Sequence, residues 1–491
     1  MSLRNGFTGR RKERQVLEEL YHSDKAEFLA IYGRRRVGKT YLIREFFKAQ
    51  ACLFFNATGI HKGPLKRQLH ECTKEMARAF LPGMELKEKR NWFEVFESLT
   101  SMIEKQVPKN KKVVLFFDEF PWMATPRSKL IQALDYYWNQ FWSQDKRIKL
   151  IVCGSSASWI IKNIVNDRGG LHNRLTRTIL LDPMSLDETK KMLQGMKVKL
   201  NNRHIAQIYM VTGGIPFYLT HITAGLSATQ IIEKLAFSKN GILIDEFDKL
   251  YASLFDNASS YIELVRMIAS HRYGIPQEEI LKKIPKGGSA VKRLKDLEHA
   301  GFIMGFTPYQ HKRKGIYYKV IDEYTLFYLH WIEPIKETLL KKGVREGYWD
   351  KMIQSGSWNS WAGYSFEAMC YKHLTQISRA LNLSPAALPN TWKYAPSKGS
   401  REEGAQIDLL FDREDDAITL CEIKYTNTPF AIDKEYALKL RKKIEVFKNK
   451  THTSKQLFIS MISANGLKKT MYSEEMINGV ITLDDLFIGY Q

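Results

Sequence analysis

Short uninterrupted apolar runs alternate with stretches of three- and four-residue apolar spacing through the first part of this chain. Phe28 to Tyr32, Lys111 to Asp118, Lys149 to Gly154 and Thr178 to Leu181 hold the runs, the pattern of strands covered by helices on both faces of a parallel sheet. Tyr41 to Phe47, Leu186 to Met196 and Asn202 to Val211 carry helical spacing. From Ser259 the pattern changes to three short helices, Tyr261 to Ala269, Pro276 to Ile284 and Ser289 to Ala300, then two strands, Phe302 to Phe306 and Ile316 to Val320. Gly301 sits where a helix C-terminus favours glycine. Further on, Gln406 to Phe411 and Ala417 to Tyr425 are strands joined by the turn Arg413 to Asp416.

These elements predict an α/β protein of several domains. A parallel-sheet core fills 1–185 and a helical lid 186–250. The order helix, helix, helix, hairpin makes 255–335 a winged helix, and 356–491 is a second α/β domain. A chain of 491 residues is too long for one hydrophobic core. Asp322 to Pro334 is aromatic at helical spacing, as a buried docking helix requires, and Leu383 to Gly399 is expected to be a loop.

Composition adds a partner class. The formal charge is +22, and a basic excess of that size favours a polyanion such as nucleic acid, whose counterions Lys and Arg release. The third helix of 255–335 offers Lys292, Arg293 and Lys295, and the hairpin tip offers His311 to Lys314; either a DNA contact or a protein–protein hinge fits them. Lys434 to Lys450 is a basic amphipathic helix that suits a DNA groove or a solvated face. Five scattered cysteines without a C-x-x-C pair predict reduced thiols. Without an apolar N-terminal core or a run of about 18 apolar residues, no membrane association is expected and the location expected is cytoplasmic. Nothing in the pattern decides between a monomer and a homo-oligomer.

The chemistry begins at Gly33-Arg34-Arg35-Arg36-Val37-Gly38-Lys39-Thr40, between the first strand and the first helix. This spacing turns backbone N–H groups into an anion nest at a helix N-terminus, so the loop is expected to bind ATP or GTP. Lys39 is expected to reach the β- and γ-phosphates and Thr40 to ligate Mg²⁺. The run ending in Asp118-Glu119 supplies the partner carboxylates, Asp118 for the metal shell and Glu119 to polarise the attacking water. Ser155 and Ser156 end the next strand, as phosphate sensors or as a helix cap. Arg174, with Arg177 behind it, is the candidate for neutralising phosphoryl charge; a solvated basic loop is the other reading.

Five motifs in order resemble the prokaryotic ATPases called the archaeal ATPase family, of the AAA+/STAND-like P-loop class. They are Phe7-Thr8-Gly9-Arg10-Arg11-Lys12-Glu13, GRRRVGKT, LFFDEF, the Gly154-Ser155-Ser156 strand end, and Thr212-Gly213-Gly214-Ile215-Pro216. The resemblance implies that the opening box packs near adenine and that the proline-bearing helices form a lid.

The last segment carries a second constellation. Asp408 stands on one strand, Glu422 and Lys424 share a face of the next, and Glu367 lies on an earlier predicted helix. Converging at a sheet edge, Asp408 and Glu422 would ligate Mg²⁺ or Mn²⁺, and Lys424 would orient the attacking water or stabilise developing phosphate charge. This resembles the PD-(D/E)xK nuclease superfamily, which implies a restriction-endonuclease-like fold and Glu367 as a further acidic ligand from the helix before the sheet. The whole predicts an ATPase that couples nucleotide state to DNA binding and metal-dependent cleavage. The alternative is an ATP-driven switch or DNA-binding regulator whose nuclease fold is inactive.

Overall fold

The computed structural model describes residues 9–166, 173–284, 289–310, 315–396 and 402–489, which divide into two compact units that part after Pro183. His311 to Lys314 and the Phe7-Thr8 start of the opening box lie outside the described residues.

The first unit is built on a five-stranded sheet: β1 (Glu27–Tyr32), β2 (Cys52–Thr58), β3 (Lys112–Asp118), β4 (Ile148–Gly154) and β5 (Arg177–Leu180), in the order β2-β3-β4-β1-β5. Every pairing is parallel. Five of the six residues of β1 and all seven of β4 are buried, which is why their sequences read as continuous apolar runs. Phe28, Leu115, Phe117 and Val152 meet the helices Leu65–Phe80, Trp92–Gln106 and Leu130–Gln140 in one core. Strand β2 was not anticipated. It lies at the sheet edge, and only two of its seven residues are buried. The parallel order brings the C-terminal ends of β1, β3 and β4 side by side, where ligands bind in open α/β sheets.

The second unit opens with the helices Leu186–Gly195 and Asn202–Thr212. Ser185 and Glu188 form a capping box at the first. Gly213 and Gly214, both at positive φ, turn the chain out of the second, and a Cβ at Gly214 would meet the Met184 carbonyl oxygen at 2.2 Å. Helices Ala258–Ala269, Gln277–Lys283 and Ser289–His299 accompany a three-stranded antiparallel sheet of β6 (Ile275–Pro276), β7 (Ile303–Phe306) and β8 (Tyr317–Val320), in the order β6-β8-β7. The segment after Asp322 is a short α-helix, Glu323–Phe327, continued by a π-helical turn, Tyr328–Ile332, with Tyr324, Phe327, Tyr328 and Ile332 buried.

The rest of this unit carries β9 (Leu388–Tyr394), β10 (Ala405–Asp412), β11 (Ala417–Lys424), β12 (Gln456–Ser463) and β13 (Gly479–Thr482), in the order β13-β12-β11-β10-β9. Two expectations are corrected. Part of the expected loop Leu383–Gly399 is strand β9. Its Pro389 conceals the strand in the sequence, and an edge position tolerates proline. Glu422 and Lys424 stand on the central strand β11 and not at a sheet edge, because helix Lys434–Thr451 leads on to β12, which pairs parallel with β11 on its far side. All five cysteines are free thiols.

Candidate functional site

Lys39 begins the helix Lys39–Lys48, directly after Gly38 at φ 95°. The Lys39 side chain is 5% exposed, and Nζ donates to the carbonyl oxygens of Gly33 and Arg34 at 2.9 Å each and to Ser155 Oγ at 3.3 Å. Burial lowers its pKa, opposed by Cys153, Glu119 and Asp118. The loop's backbone is specialised at both ends. A Cβ at Gly33, φ 140°, would meet the Leu181 carbonyl oxygen at 2.4 Å, whereas one at Gly38 would touch nothing within 4 Å. Arg36 holds φ 71° between them, and Arg10 of the opening box donates to the Val37 carbonyl oxygen at 3.0 Å.

Thr40 Oγ1 donates to Asp118 Oδ2 at 2.8 Å, and Asp118 Oδ1 accepts the Glu119 N–H at 3.0 Å. Asp118 is 3% exposed at the end of β3. Glu119 adopts φ 46°, a conformation that a non-glycine residue keeps where surrounding structure enforces it. Its carboxylate accepts from Ser155 Oγ at 2.6 Å and from the Ser155 N–H at 3.2 Å. A connected chain therefore runs from Lys39 through Ser155 to Glu119. Hard oxygen donors at Thr40 and Asp118, a buried lysine and an open glycine backbone fit a nucleotide phosphate with Mg²⁺. Arg174 is exposed beside residues outside the described set and enters none of these contacts.

Residues 7–222 match the family described as an ATPase domain predominantly from Archaea. This segment is similar to that archaeal type of ATPase domain. An uncharacterized protein of Methanocaldococcus jannaschii is 24% identical over 426 residues, 85% of this chain and 87% of that protein. Among solved structures, a Walker-type ATPase of Pyrococcus abyssi is similar with a TM-score of 0.46 at 18% identity, covering 66% of this chain and 95% of that one. The ORC2 protein of Aeropyrum pernix, solved in ADPNP and ADP complexes, has a TM-score of 0.41 at 14% identity, covering 72% of this chain and 96% of that one. No described helix is long and apolar enough to cross a membrane.

Outside residues 7–222, the structure brings Asp408, Glu422 and Lys424 together. A register shift between Ile407 and Leu410 bulges β10 at Asp408, and bulges commonly re-aim side chains. Asp408 Oδ2 accepts the Ile423 N–H at 3.1 Å. Burial, then Glu422 and Glu367, push the Asp408 pKa well above the usual carboxylate range. Glu422 is 2% exposed and pairs with Lys443. Its Oε2 lies 3.5 Å from Lys424 Nζ and accepts from the Tyr436 hydroxyl at 3.2 Å. Glu367, on helix Gly356–Lys372, pairs with Lys319. Among the described residues no group of three His, Cys, Asp or Glu side chains is arranged to hold a metal ion. Sequence reasoning missed Lys319, Lys443 and Tyr436 as neighbours of these carboxylates. Lys443 falls on the basic helix singled out above, but no signal in the sequence marks Lys319.

Proposed function

We propose that the chain binds ATP with Mg²⁺ at Gly33 to Thr40, hydrolyses it, and couples nucleotide state to DNA binding and cleavage. The observation that carries the first half is the convergence of Lys39, the Thr40–Asp118 hydrogen bond and Glu119 at the ends of β1 and β3. Backbone N–H groups of the loop and Lys39 bind the phosphates. Thr40 and Asp118 hold the metal, and Mg²⁺ supplies charge neutralisation on the phosphate oxygens. Glu119 takes the proton of the attacking water and Ser155 holds that carboxylate in place. Arg174 remains the candidate for neutralising charge at the leaving phosphates.

The second half rests on the excess charge of +22 and on Asp408, Glu422 and Lys424 sharing one centre. Residues 255–335 are read as a winged helix, with Lys292 and Lys295 exposed for phosphate contact. Residues 356–491 are read as a PD-(D/E)xK nuclease-like domain, with Glu367, Asp408 and Glu422 as the Mg²⁺ or Mn²⁺ ligands. The pairing of Glu422 with Lys443 favours a second reading, in which this domain binds DNA without cutting it and the chain is an ATP-driven regulator.

Cleavage of plasmid and single-stranded DNA with Mg²⁺ or Mn²⁺, with and without ATP, tests the proposal. Metal-dependent cutting lost in Glu422→Ala and Lys424→Ala is expected. DNA binding without cutting under any condition selects the regulator. ATP turnover that survives Lys39→Ala overturns the first half.

A further inference from the structure

A cation that the nuclease-like motif does not include stands inside its carboxylate centre. Lys319 belongs to β8, a strand of the three-stranded sheet, yet its side chain is 4% exposed and turned toward helix Gly356–Lys372. Nζ lies 3.5 Å from Glu367 Oε1 and 3.2 Å from the centroid of the Tyr371 ring, and the Tyr371 hydroxyl donates to the backbone carbonyl oxygen of Asp408. Lys319 also feels the Asp408 charge directly. A buried ammonium is costly unless paired, so this placement is held by the carboxylates it faces.

Charge and space agree. Glu367 faces Lys319, and Glu422 faces Lys424 and Lys443. Counting Asp408, the centre has as many lysines as carboxylates, which leaves no excess negative charge to draw a divalent ion. Lys319, Glu367, Tyr371 and Asp408 line one pocket, so the ammonium takes up space beside the carboxylates that an ion bound to them would need.

We propose that Lys319 is an internal counter-cation that occupies the carboxylate centre in place of a divalent ion, so that the centre admits metal only when β8 withdraws the lysine. The contact is autoinhibitory: the segment that bears β8 keeps the centre closed. This inference rests on reading residues 356–491 as nuclease-like.

The test is a Mn²⁺ titration followed by electron paramagnetic resonance on the full chain without nucleotide, carrying Asp118→Asn to remove the metal position beside Thr40. The parent is expected to show no Mn²⁺ site that Asp408→Asn abolishes. Lys319→Met is expected to gain one site, bound at least about tenfold tighter than any site in the parent, and to lose it when Asp408→Asn is added. Lys319→Arg is expected to behave as the parent. Circular-dichroism melting checks that Lys319→Met folds, and Lys319→Gln replaces it if it does not. A parent site lost in Asp408→Asn overturns the proposal, as does a folded Lys319→Met or Lys319→Gln chain that takes up no Mn²⁺. Mn²⁺ uptake by Lys319→Met without DNA cleavage overturns the cleavage reading alone.

Discussion

Thr40 Oγ1 donates a 2.8 Å hydrogen bond to Asp118 Oδ2, joining the first turn after the glycine loop to the end of β3. The bond fixes the hydroxyl and the carboxylate as a pair of hard oxygen donors before any nucleotide arrives. Thr40→Ala is expected to reduce Mg²⁺-dependent ATP turnover by about 10²-fold while leaving the unfolding temperature nearly unchanged, measured by phosphate release and calorimetry. Turnover equal to that of the parent chain would remove Thr40 from the metal shell.

Glu119 accepts two hydrogen bonds from Ser155, and two kinetic signatures follow. Glu119→Gln is expected to keep nucleotide affinity and lose about 10² or more in kcat, as removal of a general base does. Ser155→Ala is expected to lower kcat about tenfold with a smaller change in KM, because it loosens the base and removes the hydroxyl partner of Lys39 Nζ, which keeps its two carbonyl partners. Steady-state kinetics across a range of ATP concentrations separates the two parameters.

Gly33 cannot carry a side chain. At φ 140° its added Cβ would stand 2.4 Å from the Leu181 carbonyl oxygen, a backbone atom unable to move aside cheaply. Gly33→Ala is expected to destabilise the unit Gly9–Pro183 by about 1–3 kcal/mol. Gly38→Ala, with open space around its Cβ, is expected to cost less, about 1 kcal/mol from its positive φ. Urea unfolding of both variants gives the order.

His373 is 1% exposed and its ring is bonded on both sides. Nε2 accepts the Leu186 N–H at 3.1 Å, so Nδ1 carries the hydrogen donated to the Met369 carbonyl oxygen at 2.8 Å. Burial pushes its pKa down to about 4; the bond to Met369 opposes the shift and Lys372 adds to it, with the Tyr209 ring against its face. Between about pH 6.5 and 4 the unfolded chain binds a proton that the folded chain refuses. This contribution is therefore complete above pH 6.5 and is lost as pH falls through that window, by up to about 3 kcal/mol. Denaturant midpoints measured from pH 7 to 4 are expected to fall less steeply in His373→Gln.

The strands β1, β3 and β4 were legible because a strand buried on both faces must be apolar throughout, and the glycine loop because its glycine, lysine and threonine positions are all local in sequence. Strand β2 was not legible: its edge position leaves it half-buried, so its apolar residues are interrupted. Strand β9 was hidden in the same way, and its Pro389 reads as a loop in any local window.

The residues that chemistry demands at fixed spacing were set by the chain alone: Gly33, Lys39 and Thr40 within one loop, Asp118 and Glu119 at one strand end, Glu422 and Lys424 on one strand face. Their spacing is local and strand or helix geometry converts it directly into a shared position. What faces those residues was decided only by the tertiary structure. Ser155 on Glu119, Arg10 on the Val37 carbonyl, Lys443 on Glu422 and Lys319 on Glu367 are pairings between segments far apart in sequence. No periodicity records such a pairing, because it is fixed by the packing of helices and strands, and a lysine on a short strand has the same letter whether it meets water or a buried carboxylate.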